Sequence, residues 1–295
     1  MATSIEATSW TVGKLLTWTN DYFCKNQIDE PRLSAELLLA HALGANRIAL
    51  YTRYDQTPTP AEIEQFRSMV KRRKDHEPVA YITGKAWFFS MELFVSPDVL
   101  IPRPDTETLV EQAITAVRAG GPNPRVLDLC TGSGCAALAI TKSCPQVHTA
   151  ATDISTAALA IAGKNAHSTG LADRIAFMQG DLFDALGSDI PPFHVITANP
   201  PYIPTAEIES LAPEIAKHEP RLALDGGMDG LQFIERIVAD APNFLAPAGL
   251  LLIETAYNQT ESCVRLMAED GRYDQPRTIH DAARNPRCVA ARLKA

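Results

Sequence analysis

The sequence predicts an α/β protein: a small all-α module, a β-hairpin linker, and then a doubly wound, seven-stranded and mostly parallel sheet. Three observations carry this expectation. The first ~80 residues repeat apolar side chains at helical spacing and show no alternating strand pattern. Beyond Pro124 short apolar runs alternate with helical segments, the rhythm of parallel strands joined by crossover helices. Between the two lies a stretch of aromatic and β-prone residues bounded by turn formers.

In the helical module Leu15, Leu16, Thr19 and Phe23 share one face of a first helix, and Leu33, Leu37, Leu38 and His41 one face of a second. Pro31 suits the first turn of the second helix and Gly44 its end. Pro58 and Pro60 break the chain before a third helix over 61–74. Over 86–100, Trp87, Phe88 and Phe89 precede Ser90-Met91-Glu92, and Leu93, Phe94 and Val95 follow it, as in a β-hairpin. Ile101-Pro102-Arg103-Pro104-Asp105 is stiff, because two prolines fix φ at alternate positions, and Asp105 suits the cap of a helix over 106–118. Parallel strands are expected at 125–129, 147–152, 175–179, 194–198 and 250–254, with helices at 135–142, 156–166 and 231–245. After 258–269, two last strands near 276–279 and 288–293 pair antiparallel at one edge. The expected division is a helical domain over 1–77, hairpin and linker over 78–104, and an α/β domain over 105–295.

With 46% hydrophobic and 21% charged residues, the chain has the composition of a soluble protein with a sizeable core. Residues 1–77 hold ten Lys/Arg and ten Asp/Glu, so the whole net charge of −8 falls in 78–295. An acidic larger domain repels phosphate backbones, which argues against nucleic acid as the main substrate. The dense basic run Lys71-Arg72-Arg73-Lys74 sits late in a predicted helix, where cations complement the macrodipole, and reads as a solvated face. The six cysteines form no CxxC pair or metal-ligand spacing, and the seven histidines form no HExxH pattern. No secretory signal is visible and no apolar stretch approaches the ~18 residues of a membrane span. The expectation is a cytoplasmic, monomeric, metal-free protein with free thiols, not bound to membranes.

Val126-Leu127-Asp128-Leu129-Cys130-Thr131-Gly132-Ser133-Gly134 runs from strand into helix. Glycines let a ligand approach the backbone closely, and the helix start offers unpaired N–H groups. Asp153 closes the following strand, where a carboxylate can hold ribose hydroxyls. Gly132-x-Gly134-x-x-Ala137 alone also fits a dinucleotide fingerprint. Charge separates the readings: Asp128 would repel a pyrophosphate but attract the ammonium and sulfonium of S-adenosylmethionine, by a few kcal/mol at ~4 Å before desolvation. Asp181, after the third strand, can accept from an adenine amino group.

Asn199-Pro200-Pro201-Tyr202 directly follows the fourth strand, at the rim where open α/β sheets bind ligands. The Asn199 and Pro200 carbonyls are two acceptors able to grip one –NH₂ group. The prolines hold those acceptors rigidly, and Tyr202 offers a flat face for a planar amide. These residues define the candidate substrate and catalytic site. They suit a side-chain amide and equally an exocyclic base amine, so methylation of adenine or cytosine stays open on this motif alone. An enzyme of that kind must extract a base and grip phosphates, and no extra target-recognition domain is visible.

With these residues in hand, the chain resembles the HemK/PrmC-type protein-glutamine N5-methyltransferases of peptide chain release factors, from about residue 10 to 293. The resemblance is carried by Pro78-Val79-Ala80-Tyr81-Ile82-Thr83-Gly84, Ile101-Pro102-Arg103-Pro104-Asp105-Thr106-Glu107, the Asp128–Gly134 loop, Asn199–Tyr202, His218-Glu219-Pro220 and Asp225-Gly226-Gly227-x-Asp229-Gly230. It implies a class I, Rossmann-like S-adenosylmethionine methyltransferase domain, preceded by a helical domain that docks the release factor. It implies methylation of the glutamine in that factor's Gly-Gly-Gln loop. Carried over by residue, cofactor contacts fall on Cys130, Thr131, Gly132, Ser133, Gly134, Asp153, Leu182 and Asn199, and Asn199 through Tyr202 hold the glutamine. Two departures stand out: the family often has an aromatic residue at position 182, where leucine loses stacking on adenine, and Glu254-Thr255-Ala256 replaces a usual Glu-Ile-Gly or Glu-Val-Gly. A sister branch that methylates a large-subunit ribosomal protein is similar at the glycine loop, at Asn199–Tyr202 and at Ala86-Trp87-Phe88. It usually reads Pro-Arg-Ser-Pro where this chain has Pro102-Arg103-Pro104-Asp105, so the release-factor branch is favoured.

Overall fold

The computed structural model describes residues 10–187 and 189–295. The first nine residues, where a secretory signal would begin and the expected helical domain starts, lie outside the described residues. Two compact units divide the chain, Met1–Gly84 and Lys85–Ala295.

In the first unit α1 (Val12–Lys25) is capped by Thr11, whose hydroxyl accepts from the Lys14 N–H, and it buries Val12, Leu15, Thr19 and Phe23. Its partner α2 (Pro31–Ala42) starts at the expected proline but buries Ser34, Ala35, Leu38, Leu39 and Ala42, while Leu37 is exposed. The expected Leu33–Leu37–His41 face is thus rotated. The run Leu37-Leu38-Leu39-Ala40 is apolar all round, so periodicity could not choose its face. Buried Glu36 does, held by Arg32, Arg47 and Tyr51. A short α3 (Arg47–Thr52) is capped by Asn46 and was too brief to show a period. Helix α4 (Pro60–Lys74) opens with a capping box in which Thr59 and Glu62 satisfy each other's backbone. The basic run at its end is not uniformly solvated. Arg73 is buried and donates to the Ser34 hydroxyl and the Asp29 carbonyl, and Arg72 pairs with Glu77. Helix α5 (Val79–Thr83) completes this unit, within the stretch 78–104 expected to be hairpin and linker.

The hairpin belongs to the second unit. Strands β1 (Lys85–Phe88) and β2 (Met91–Phe94) pair with Phe88 opposite Met91, so the turn is Phe89-Ser90 rather than the expected Ser90–Glu92. Both turn residues have positive φ, 47° and 58°, which matches the right-handed strand twist, and the Phe89 N–H donates to the Glu107 carboxylate at 3.2 Å. Helix α6 (Thr106–Ala119) lacks the expected cap: Asp105 is itself helical, makes no capping bond, and pairs with Arg287 at 3.1 Å.

The chain then runs β3 (Arg125–Leu129), α7 (Cys135–Ser143), β4 (His148–Asp153), α8 (Thr156–Ser168), β5 (Ile175–Gln179) and β6 (Phe193–Ala198). It continues through α9 (Pro213–His218), α10 (Gln232–Asp240), β7 (Leu245–Glu254), α11 (Thr260–Asp270), β8 (Tyr273–His280) and β9 (Pro286–Leu293). These seven strands lie in the order β5-β4-β3-β6-β7-β9-β8, with β9 alone running against the direction of the rest. One helix and strand differ from expectation. Pro242 lacks the N–H needed to extend α10, the helix stops at Asp240, and Leu245 already pairs with Phe193 in β7.

Successive strand residues feed opposite faces. Val126, Val195, Leu250 and Leu252 pack with Leu109, Val110 and Ala113 of α6 and with α7, whereas Leu127, Leu129, Ile196, Leu251 and Ile253 pack with Ile234, Ile237 and Met267 of α10 and α11. Each such fully buried side chain contributes roughly 1.5–3 kcal/mol. The strand order reverses beside β3, so its C-terminal end and that of β6 open onto one crevice. Among the described residues no helix is long and apolar enough to cross a membrane.

Candidate active site

That crevice is a cleft of about 430 Å³. Of the residues expected to form the site, Asp128, Cys130, Thr131, Gly132, Ser133, Asp153, Asp181, Leu182, Asn199 and Pro201 line it, whereas Gly134, Pro200 and Tyr202 do not. Gly134 stands at the start of α7 with φ 79°, and a Cβ there would press on Ala162 at 3.1 Å, so glycine lets this loop pack against α8.

The loop is pinned to the next strand end. The Gly132 N–H donates to Asp153 Oδ2 at 2.8 Å, the Ser155 N–H to Oδ1 at 2.9 Å, and the Thr131 N–H to the Thr152 carbonyl at 3.0 Å. Burial raises the Asp153 carboxyl above its ordinary value, although these N–H groups oppose the shift. Asp128 is deeper. Its carboxylate accepts from Thr131 Oγ1 at 2.6 Å and Thr197 Oγ1 at 2.8 Å, and burial still pushes it up to about 6. Asp181 accepts from both Arg236 guanidinium nitrogens, at 2.8 and 3.3 Å, so an adenine amino group would share it with a cation. Leu182 is buried with φ 52°, and its carbonyl accepts from Thr152 Oγ1. Three aspartates at successive strand ends, two of them destabilised as anions by burial, suit a ligand that carries positive charge. S-adenosylmethionine, with an ammonium and a sulfonium, fits this donor set, and a pyrophosphate does not.

On the opposite wall, Asn199 Nδ2 donates to Thr106 Oγ1 at 3.2 Å. The Asn199–Tyr202 backbone is held from below by the glycine-rich segment after α9. Ile203 N–H donates to the Leu224 carbonyl, Gly226 N–H returns to the Ile203 carbonyl, and Gln259 Nε2 donates to the Tyr202 carbonyl at 2.9 Å. A Cβ at Gly226 would lie 2.7 Å from Tyr202 Cα, and one at Gly230 would collide with the Tyr202 carbonyl oxygen. Asp225–Gly230 is therefore a bed for the tetrapeptide. Arg103 pairs with buried Glu219, so this ion pair ties the proline-rich segment to His218-Glu219-Pro220. Sequence reasoning missed Thr106, Gln232, Phe233 and Arg236, all at the cleft. Thr106 stands in the 101–107 motif with no role assigned to it, and no local signal marks the other three, which reach the cleft from a helix remote in sequence.

A seven-stranded sheet with this order, a glycine loop after its first strand and an acidic end on the next define a class I S-adenosylmethionine-dependent methyltransferase. Comparison with known proteins agrees. A family model described as the PrmC N-terminal domain matches residues 14–84, and the methyltransferase small domain matches 106–228. The chain is 41% identical to a release factor glutamine methyltransferase of Rhodopirellula baltica, over 98% of this chain and 99% of that one. It is also 41% identical to the Geobacter sulfurreducens protein of the same name, over 89% and 90%. A solved structure described as the delta-N METTL16 MTase domain shares the fold at a TM-score of 0.52, with 16% identity over 70% of this chain and 90% of that one. The chain belongs to the release factor glutamine methyltransferase family.

Proposed function

We propose that this protein transfers a methyl group from S-adenosylmethionine to the side-chain amide nitrogen of the glutamine in the Gly-Gly-Gln loop of peptide chain release factors. The observation that carries this reading is Asn199 at the end of β6. It faces the same cleft as the glycine loop, with its amide nitrogen engaged by Thr106 and its carbonyl oxygen left for substrate.

When bound, S-adenosylmethionine supplies an electrophilic methyl group on a sulfonium. Asp153 would hold the ribose hydroxyls, Asp128 would lie toward the cationic portion, and Asp181 with Leu182 would border the adenine. The Asn199 Oδ1 would accept one N–H of the glutamine amide at the cleft wall, and Pro200 and Tyr202, which flank the lining residues Asn199 and Pro201 without lining the cleft themselves, would take the second N–H and the amide plane. An amide nitrogen is a weak nucleophile because its lone pair is delocalised. Two fixed acceptors would favour electron density on nitrogen and orient it toward the donor's part of the cleft. The donor, when bound, would give up its methyl and keep the C–S electron pair, and the methylated amide nitrogen, made acidic, would lose a proton to solvent. No strong base is needed. The helical unit docks the body of the release factor, and the protein acts as a cytoplasmic monomer without a metal or direct contact to nucleic acid.

The test is incubation with labelled donor and, separately, a release factor, a large-subunit ribosomal protein and duplex DNA, followed by mass spectrometry. One added methyl on the Gly-Gly-Gln glutamine is expected. Label in the ribosomal protein alone would move the chain to the sister branch, and label in DNA alone would overturn the amide reading.

A further inference from the structure

A buried acid beside Asn199 has no place in the reading above. Glu254 is the last residue of β7, opposite Cys288 of β9, and is 2% exposed. Its Oε2 has no hydrogen-bond partner. A carboxyl so buried is costly unless something nearby uses it. The Thr106 hydroxyl from α6 and the Asn199 amide from the end of β6 stand near enough to favour its charged form. Arg287 of β9 attracts its charge and Asp105 repels it, while Tyr202 and Cys288 lie within its field.

Proton counting gives this cluster a direction. Asn199 Nδ2 donates to Thr106 Oγ1. A hydroxyl that accepts there must send its single proton elsewhere, and the Glu254 carboxyl is the acceptor at hand. The nitrogen end of Asn199 is thus taken up by Thr106, which leaves the oxygen end for the cleft that Asn199 lines. An amide turned by 180° would confront the substrate –NH₂ with a second –NH₂ and could not hold it.

We propose that Glu254 and Thr106 are positioning residues that fix the Asn199 amide with its nitrogen inward, so that only its acceptor oxygen meets the glutamine amide. The proposal rests on the function proposed above. It assigns the pair an effect through Asn199, although Thr106 also borders the cleft.

The test compares Thr106→Val, which keeps shape without the hydroxyl, with Thr106→Ser, which keeps the hydroxyl, and with Glu254→Gln. Thr106→Val should lower kcat on release factor on the order of a hundredfold, as for a misplaced catalytic contact. Its donor Kd by calorimetry and its melting temperature should stay near wild type. Thr106→Ser should recover most of the loss, and Glu254→Gln should fall between the two. Wild-type kcat in Thr106→Val, or a loss that serine does not rescue, overturns the proposal. A second readout separates its failure from that of the function itself. In NMR spectra the side-chain –NH₂ of Asn199 should exchange slowly with solvent in wild type and rapidly in Thr106→Val and, if that variant unfolds, in Glu254→Gln. Equal exchange in wild type and the folded variant overturns the positioning role even if no release factor is methylated.

Discussion

Asp153 receives two backbone N–H bonds, one from the glycine loop and one from the start of α8, so its carboxylate is oriented before any ligand arrives. Asp153→Ala should therefore weaken donor affinity roughly tenfold to a hundredfold, as expected for losing charge-assisted hydrogen bonds worth ~1.5–3 kcal/mol. Calorimetric titration reads this, and an unchanged Kd would remove Asp153 from the donor site. Asp128 makes a different prediction. Its folded carboxyl titrates at about 6, above the usual value near ~4. The folded state thus binds that proton more tightly, and the stability it contributes is present below ~4 and lost as pH rises through about 6. Asp128→Asn should flatten the fall in melting temperature over that window relative to wild type. Parallel curves for the two proteins would contradict the shift. The sequence revealed both acids because each closes or precedes a recognisable motif. Thr106 and Glu254 stayed hidden, since a threonine at a helix start and an acid at a strand end occur wherever such elements meet.

Among elements, the glycine-rich Asp225–Gly230 segment shows how a motif with no ligand chemistry serves the site. Its backbone exchanges hydrogen bonds with Ile203 and packs against Pro201 and Tyr202. Gly230 has φ 77°, so Gly230→Ala meets both backbone strain and the Tyr202 carbonyl. It should cost about 1–3 kcal/mol of stability. It should also lower kcat more than donor affinity, which activity assays with parallel calorimetry and thermal melts will show. Wild-type kinetics would mean that the tetrapeptide needs no such bed. The central parallel strands were legible because their apolar runs are short and bounded by loops. Two short helices, Arg47–Thr52 and Val79–Thr83, were not, because five or six residues span too little of the helical period. The face of Pro31–Ala42 was misread for the opposite reason, an excess of apolar residues. The extended helix over 231–245 failed at Pro242, whose breaking effect was outweighed by the surrounding apolar pattern.

At the scale of the molecule, the break between Gly84 and Lys85 coincides with the end of the match to the PrmC N-terminal domain. Each unit has its own apolar core. A chain beginning at Lys85 should therefore fold and bind donor with near-native affinity while losing most turnover on intact release factor. Full turnover by the shorter chain would remove the docking role from the helical unit. The glycine loop and the Asn199–Tyr202 segment were readable as separate sites before the fold was known. Their meeting was not, because it depends on β3 and β6 lying side by side, a pairing across 69 positions between Asp128 and Thr197. That pairing brings the Thr197 hydroxyl onto the Asp128 carboxylate, two residues ahead of Asn199. Near neutral pH a carboxyl that titrates at about 6 is mostly ionised, so the Thr197 contact is already charge-assisted, and a cation settling near Asp128 would hold it in that state. The wall proposed to take the methyl source and the strand that ends in Asn199 thus share one staple, and a change on either side of it is felt by the other.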